Sequence, residues 1–127
     1  MVAQQQHPVM IVDDDPDLLQ LMSTTLRNNG FQVVARTSPP NWLELGQADP
    51  AMIFMDVDLG RANGANLCKS IKENLPQWKL PIVLVSGHPE EQLSAEAKYA
   101  HADDSIHKPF RGSTLVRMAK RYARKAA

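Results

Sequence analysis

Polar residues that could handle a phosphoryl group follow four apolar segments of this 127-residue chain. Val9–Val12 is followed by Asp13, Asp14 and Asp15, and segment 51–55 is followed by Asp56. Segment 82–85 is followed by Ser86, and a shorter segment around Ile106 is followed by Lys108. If the segments are parallel strands, their carboxyl ends meet along one edge of the sheet. The sequence therefore predicts one site that contains carboxylates, a hydroxyl and an ammonium group.

Closely packed carboxylates repel one another, and a hard divalent cation relieves that repulsion. We therefore expect Mg²⁺, with Mn²⁺ as the alternative, held by Asp13 and Asp14, which leaves Asp56 free to act as a nucleophile. Phosphoryl transfer mainly needs alignment and neutralisation of charge. The Lys108 ammonium and the Ser86 hydroxyl would contact phosphoryl oxygens, and Gly87 has no side chain to obstruct the approach.

Strand and helix signals alternate along the chain in a (βα)₅ pattern. Segment 51–55 shows too little alternation for a half-exposed strand and is typical of a strand buried on both faces of a parallel sheet. Right-handed crossovers then place helices on both faces. We predict an α/β protein with a flavodoxin-like, doubly wound sheet of five parallel strands in the order 2-1-3-4-5. Its switch point would lie between the first and third strands.

The elements that position the site can be predicted from capping residues and apolar spacing. Asp15 is expected to cap the first helix, whose core-facing side we assign to residues at helical spacing: Leu18, Leu21, Met22, Thr25 and Leu26. This register leaves Leu19 outside the core. We further predict a second strand at 31–35, a short second helix around Trp42 ending at Gly46, a loop at 59–64, and a last helix beginning near Ser113.

The composition excludes several classes of protein. The 14 basic and 14 acidic residues balance, which gives no general attraction to nucleic acid or anionic membranes, so we take the basic residues of the last helix as a solvated face. A single cysteine, Cys68, excludes an internal disulfide and fits a reducing compartment. No signal peptide or membrane span is evident, residues 1–7 are expected to be a disordered lead-in, and we expect a cytoplasmic protein.

Four motifs in order give the chain a family resemblance. They are IVDDDPDL at the first strand, MIFMDVDLGRANG at the third, PIVLVSG at the fourth and ADDSIHKPF at the fifth. Together they resemble the receiver domains of two-component response regulators. The resemblance covers residues 8–127, so we expect a single receiver domain with no output domain after it.

The resemblance implies a role for each matching residue. Asp56 aligns with the phospho-accepting aspartate. Asp14 aligns with the acid that binds the metal directly, and Asp13 aligns with the acid that accompanies it. The backbone carbonyl of Asp58 would be the third protein ligand, beside a metal contact from Asp56. Ser86 aligns with the switch hydroxyl residue and Lys108 with the family's lysine.

The resemblance also implies activity and partners. A histidine kinase or histidine phosphotransfer protein would donate the phosphoryl group, and the chain would catalyse only its own phosphorylation and slow dephosphorylation. It would then switch its binding to a downstream protein that the sequence does not identify. We expect no nucleic-acid or membrane partner, and a monomer or a weak dimer.

The chain departs from the family pattern in several places. Ser105 replaces the usual aromatic residue three positions before the lysine, which puts coupling by an aromatic flip in doubt. Gly60 replaces a usual proline, which predicts a looser loop, and His101 replaces a usual glycine. We hypothesise that Asp58 and His88, which border the site, set the lifetime of the phosphorylated state, and that Leu19 helps to dock a phosphodonor helix pair.

Three alternatives remain beside a stand-alone phosphorylated receiver. The chain could be a non-phosphorylated pseudo-receiver that serves only as an interaction module. It could be a receiver excised from a hybrid kinase or a longer regulator. It could also be a small Mg²⁺-dependent phosphatase with Asp58 as general acid, although the nucleophile of those enzymes normally ends the first strand rather than the third.

Overall fold

The computed structural model of the protein describes residues 7–76 and 78–124. Its elements are β1 (Val9–Val12), α1 (Pro16–Asn28), β2 (Val33–Arg36), α2 (Trp42–Ala48), β3 (Met52–Asp56), β4 (Asp58–Leu59), β5 (Ala62–Asn63), α3 (Gly64–Asn74), β6 (Ile82–Ser86), α4 (Glu90–Ala100), β7 (Asp104–His107) and α5 (Gly112–Tyr122). None of the helices within these ranges is long and apolar enough to span a bilayer. Residues 1–6 of the predicted lead-in lie outside the described residues, as does Lys125 at the end of the predicted basic face.

The main sheet has five parallel strands in the order β2-β1-β3-β6-β7. This is the order 2-1-3-4-5 when only the strands of this sheet are counted, so the predicted fold class is confirmed. The central strands β1, β3 and β6 are buried along their whole length. Helices cover both of their faces, which is why their sequences read as continuous apolar runs rather than as alternating ones.

Two hydrophobic clusters lie on opposite faces of the sheet because side chains alternate along each strand. Ile53 and Met55 of β3 point into the cluster that includes residues of α2, α3 and α4. Met52 and Phe54 point into the cluster that includes residues of α1 and α5. The core thereby holds the carboxyl ends of the strands in fixed positions relative to one another.

The register of α1 differs from the prediction, although its cap is confirmed. The Asp15 side chain accepts hydrogen bonds from the backbone of Asp17 and Leu18. The buried residues of α1 are Leu19, Met22, Ser23 and Leu26. Leu19 is only 7% exposed, whereas Leu21 is 64% exposed, so the predicted positions of both were wrong. Both candidate faces have helical spacing, and the positions of α5 and the sheet decide which one is buried.

A strand, a helix and a loop also differ from the prediction. Strand β2 occupies Val33–Arg36 rather than 31–35. It begins later because the Phe31 N–H donates a hydrogen bond to the Leu26 carbonyl at the end of α1. Helix α2 passes through Gly46 and ends at Ala48. The predicted loop at 59–64 is largely the antiparallel pair β4–β5, which begins at Asp58 and whose tight turn has Gly60 at a φ of 66°. A positive φ at the first of two central turn residues is common in hairpins and favours glycine.

Candidate functional site

Three carboxylates meet where β1 and β3 end. Val12 pairs with Met55, so the residues that follow these two positions leave the sheet at the same edge. One carboxylate oxygen from each of Asp13, Asp14 and Asp56 lies within 4.8 Å of the others. Asp13 and Asp56 are 1% and 3% exposed, whereas Asp14 is exposed to solvent. The structure therefore brings together the three acids that the sequence placed in one site.

Lys108 enters the same cluster from the loop after β7. Its Nζ donates a hydrogen bond to Asp13 Oδ2 at 3.1 Å and lies 3.4 Å from Asp56 Oδ1. Its backbone N–H donates to the carbonyl of Ser86 at 2.8 Å, which ties the loop to the end of β6. The Lys108–Pro109 peptide bond is cis. One ammonium thus contacts two buried carboxylates that belong to neighbouring strands.

The electrostatics of the cluster favour binding of a further cation. Burial and the neighbouring charge of Asp13 raise the pKa of Asp56 from 3.8 to about 6, although Lys108 opposes that rise. Burial lowers the pKa of Lys108, but its hydrogen bond to Asp13 and the charge of Asp56 raise it above its usual value. A single lysine therefore leaves carboxylate repulsion in place. Oxygen ligands at this spacing fit a hard divalent ion such as Mg²⁺.

Three further residues lie where the neighbouring strands end or begin: Ser86 ends β6, Gly87 follows it, and Asp58 begins β4. Ser86 follows Val85, which pairs with Asp56 across the sheet, and its Oγ accepts a hydrogen bond from the backbone of His88 at 2.9 Å. A Cβ atom built on Gly87 would meet nothing within 4 Å, so this position is open. The Asp58 N–H donates to Asp56 Oδ1 at 3.3 Å. The arrangement can hold an anionic group against Asp56 and supply it with hydrogen-bond donors.

Comparison with known proteins decides the family of the chain. A family model described as the response regulator receiver domain matches residues 9–120. The chain belongs to this family. Phosphorylation on an aspartate is the standard function of receiver domains, and their acidic pocket binds Mg²⁺. They interact with histidine kinases and with downstream effectors.

Individual relatives agree with this assignment. The chain is 33% identical over 118 residues to the nitrogen assimilation regulatory protein NtrX of Azorhizobium caulinodans, covering 91% of this chain and 26% of that protein. It is 30% identical to the heme response regulator HssR of Staphylococcus saprophyticus, covering 84% of this chain and 47% of that protein. The receiver thus spans about a quarter and about half, respectively, of the length of these two relatives.

Solved structures show the same fold. The receiver domain of NtrX from Brucella abortus is 28% identical, with a TM-score of 0.79, and the match covers 90% of this chain and 96% of that one. The response regulator DrrB of Thermotoga maritima is 25% identical, with a TM-score of 0.81, covering 93% of this chain and 52% of that one.

A histidine beside the receiver's acidic pocket has a partner that the sequence did not indicate. His88 Nε2 lies 2.9 Å from Asp58 Oδ2, and its Nδ1 lies 2.9 Å from Oε1 of Glu96 in α4. The hydrogen bond to Glu96 raises the pKa of His88 despite some desolvation, and the charge of Asp58 adds to the rise. The sequence identifies Asp58 and His88 as residues that border the site, but it does not indicate Glu96, because eight residues and the start of a helix separate Glu96 from His88.

An apolar groove next to Lys108 was also missed. Its lining includes Leu18 and Leu21 of α1 and Pro109 and Phe110 of the loop after β7. Lys108 lines the same groove, and its Nζ contacts the acids of the pocket. The only signal in the sequence was the set of leucines in the first helix, and the incorrect helix register concealed it.

The raised pKa of Asp56 predicts a stability effect that depends on pH. Because the folded-state pKa of about 6 exceeds the usual 3.8, ionisation of Asp56 favours unfolding, and this penalty is absent below about pH 4 and complete above about pH 7. With a chelator present, Asp56→Asn should raise the free energy of unfolding by about 2–3 kcal/mol near neutral pH. Denaturant unfolding at several pH values measures this effect. A gain that is equally large at about pH 3.5 would contradict the explanation.

Proposed function

We propose that Asp56 accepts a phosphoryl group from a histidine on a kinase or phosphotransfer protein. The observation that carries this proposal is the contact of Lys108 Nζ with both Asp13 and Asp56, in a pocket where three carboxylates converge. Asp56 is a buried, partly neutralised carboxylate at the end of a central strand, and a side chain at Gly87, on the loop after the adjacent strand, would meet nothing within 4 Å. This arrangement has no evident structural purpose, because it costs stability in the absence of a cation.

The chemistry that we propose has two balanced steps. An Asp56 carboxylate oxygen attacks phosphorus, the nitrogen–phosphorus bond of the donor histidine breaks, and the imidazole keeps the bonding electron pair. In the second step, water attacks phosphorus, the bond to Asp56 breaks, and orthophosphate leaves while the carboxylate is restored. The domain thus catalyses only its own phosphorylation and dephosphorylation. We assign Lys108 and the Ser86 hydroxyl as donors to phosphoryl oxygens.

The metal ligands that we propose are the acids of the cluster. Asp13, Asp14 and Asp56 would contact Mg²⁺ directly or through water, and the backbone carbonyl of Asp58 would complete the protein ligands. Mn²⁺ would satisfy the same oxygen donors. Bound Mg²⁺ would neutralise charge on the phosphoryl oxygens.

Nothing in residues 7–76 and 78–124 favours the alternative of a pseudo-receiver that is never phosphorylated.

The proposed acceptor can be tested with a small donor. Incubation with acetyl phosphate and Mg²⁺ should add a single group of about 80 Da, seen by intact mass spectrometry and mapped to Asp56 after proteolysis. A chelator should prevent the addition. An adduct that maps to another residue, or a protein that stays unmodified with Mg²⁺ present, would refute the proposal.

We infer that the phosphodonor docks along the groove formed by Leu18, Leu21, Pro109 and Phe110. The earlier expectation for Leu19 was wrong, because Leu19 is buried in the core and unavailable to a partner. Leu21 is 64% exposed beside the groove, and the shared lining residue Lys108 joins the groove to the acceptor. An amphipathic helix that carries the donor histidine fits an apolar surface of this kind.

Leu21→Asp should slow phosphotransfer from a histidine kinase that phosphorylates the wild-type protein by about tenfold, because a charge replaces an apolar contact. Labelling by acetyl phosphate should stay unchanged, since that donor needs no docking surface. Leu43→Asp is the matched control, because Leu43 is similarly exposed, at 69%, but lies on α2. Equal transfer rates in Leu21→Asp and wild type would exclude this groove.

We also propose the setting in which the domain acts. The zero net charge and the free Cys68 support a cytoplasmic protein that binds other proteins rather than nucleic acid or membrane. We propose that residues 8–127 form one receiver domain that acts as a monomer or weak dimer. Phosphorylation would change its affinity for a downstream protein.

A further inference from the structure

The His88 side chain joins the two loops that flank Asp56. Its Nε2 lies 2.9 Å from Oδ2 of Asp58, the first residue of the β4–β5 hairpin that follows β3. His88 itself belongs to the loop after β6. The contact therefore forms a bridge between the carboxyl ends of two adjacent central strands.

Backbone hydrogen bonds connect this bridge to the groups that would hold the phosphoryl group. The Asp58 N–H donates to Asp56 Oδ1 at 3.3 Å, and the His88 N–H donates to Ser86 Oγ at 2.9 Å. Together with the side-chain contact, these bonds link Asp56, Asp58, His88 and Ser86 in series, and the backbone hydrogen bond from Val57 N–H to the Val85 carbonyl at 3.0 Å joins the two strand ends. The bridge thus lies directly beside the pocket that contains Asp56.

Glu96 holds the second nitrogen of the bridging imidazole. Its Oε1 lies 2.9 Å from His88 Nδ1, and its side chain is largely buried. Gln92 Nε2, one turn earlier in α4, lies 3.2 Å from the same nitrogen. An imidazole that is held at both nitrogens has one ring orientation, whereas without Glu96 the ring can rotate away from Asp58.

We propose that Glu96 is a positioning residue that lengthens the life of the phosphorylated state by holding His88 against Asp58. The inference rests on the proposed phosphorylation of Asp56. The bridge restricts the approach of water to phosphorus, and its loss opens that approach. Glu96 belongs to α4, so a partner that binds α4 and draws Glu96 away would shorten the life of the phosphoryl group.

The test measures how fast the aspartyl phosphate decays. The full chain is phosphorylated with acetyl phosphate and Mg²⁺, the donor is removed, and the decay is followed by intact mass. Glu96→Ala and His88→Ala should each decay at least about threefold faster than wild type. Glu96→Gln, which keeps a hydrogen-bond acceptor, should restore a rate close to that of wild type. Glu91→Ala, on an exposed position of the same helix, should match wild type.

A double variant separates positioning from a general effect on structure. In the His88→Ala background, Glu96→Ala should cause no further acceleration, because its action passes through the imidazole. In addition, the ¹⁵N resonances of the His88 ring, measured without phosphorylation, should shift in Glu96→Ala and stay in place in Glu91→Ala. This second measurement reports on the bridge independently of the chemistry.

Three results would overturn the inference. They are a wild-type decay rate in Glu96→Ala, an effect of Glu96→Ala that persists without His88, and unmoved His88 ring resonances in Glu96→Ala. A wild-type protein that takes up no phosphoryl group would instead refute the proposed function, and the inference would fall with it. If Glu96→Ala does not fold, a wild-type decay rate in His88→Ala alone is enough to refute the bridge.

Discussion

Asp56→Asn should abolish the phosphoryl label completely. The amide that replaces the carboxylate is a poor nucleophile and cannot form the acyl phosphate, while its size and hydrogen-bonding capacity preserve the pocket. Lys108 retains its hydrogen bond to Asp13, at 3.1 Å in the wild-type structure, so the ammonium stays in place. Loss of label with retained folding would therefore report on chemistry and not on structure. Intact mass after incubation with acetyl phosphate and Mg²⁺ measures the result.

Asp17→Asn is the matched control for this experiment. Asp17 is an exposed acid in the first turn of α1, on the chain segment that follows the acidic cluster. The Asp17→Asn variant should accept as much label as the wild-type protein. A label that persists in Asp56→Asn would show that another nucleophile is the acceptor. Circular dichroism of each variant verifies that both proteins are folded.

Gly64→Ala should be among the most damaging single-methyl substitutions in the domain. A Cβ atom at this position would overlap the carbonyl oxygen of Asp56 and come within 2.8 Å of its carbonyl carbon and 2.9 Å of Met55 Cγ. Both Asp56 atoms belong to the backbone at the end of β3, so they cannot move aside without displacing the carboxylate. We expect a loss of about 3 kcal/mol in unfolding free energy and a melting temperature lower by roughly 10 °C.

The same substitution should also impair function. Displacement of the Asp56 backbone would change its distance to Lys108 and to the other acids, so the rate of labelling by acetyl phosphate should fall together with stability. Gly46→Ala is the control, because Gly46 lies inside α2 and a Cβ there would meet nothing within 4 Å. That change should be neutral or stabilising by up to about 1 kcal/mol. Equal melting temperatures for the two variants would mean that the backbone of β3 can shift to accommodate the Cβ atom without a loss of unfolding free energy, which would contradict the prediction.

Much of the fold was predictable because its signals are local. The buried run before Asp56 has no polar alternation, and a strand of that kind needs helices on both faces, which a parallel sheet with right-handed crossovers supplies. The cap at Asp15 lies next to the helix that it begins and was predicted correctly. The convergence of Asp13, Asp14 and Asp56 then followed from the strand order alone, because it depends on strand ends and not on side-chain details.

Other features needed the packed structure. The apolar residues of the first helix fit two faces one residue apart, and contact with α5 and the sheet buries Leu19 while leaving Leu21 exposed. The hairpin β4–β5 depends on Gly60 adopting a φ of 66°, which the residue allows but does not require. A periodic pattern identifies a helix, whereas the direction of its buried face depends on neighbours that are distant in sequence.

The sequence by itself located the strands, the acids that follow them and the lysine that accompanies these acids, because strand propensity and the position of each polar residue after its strand are properties of short segments. The strand order then followed from the usual winding of a (βα)₅ chain. Only the tertiary structure decided that Asp58 and Glu96 contact the two ring nitrogens of His88 and that Leu18, Leu21 and Phe110 line one groove. These contacts join side chains from separate helices and loops. Their distances are set by how the helices pack on the sheet, and no local pattern in the sequence encodes that packing.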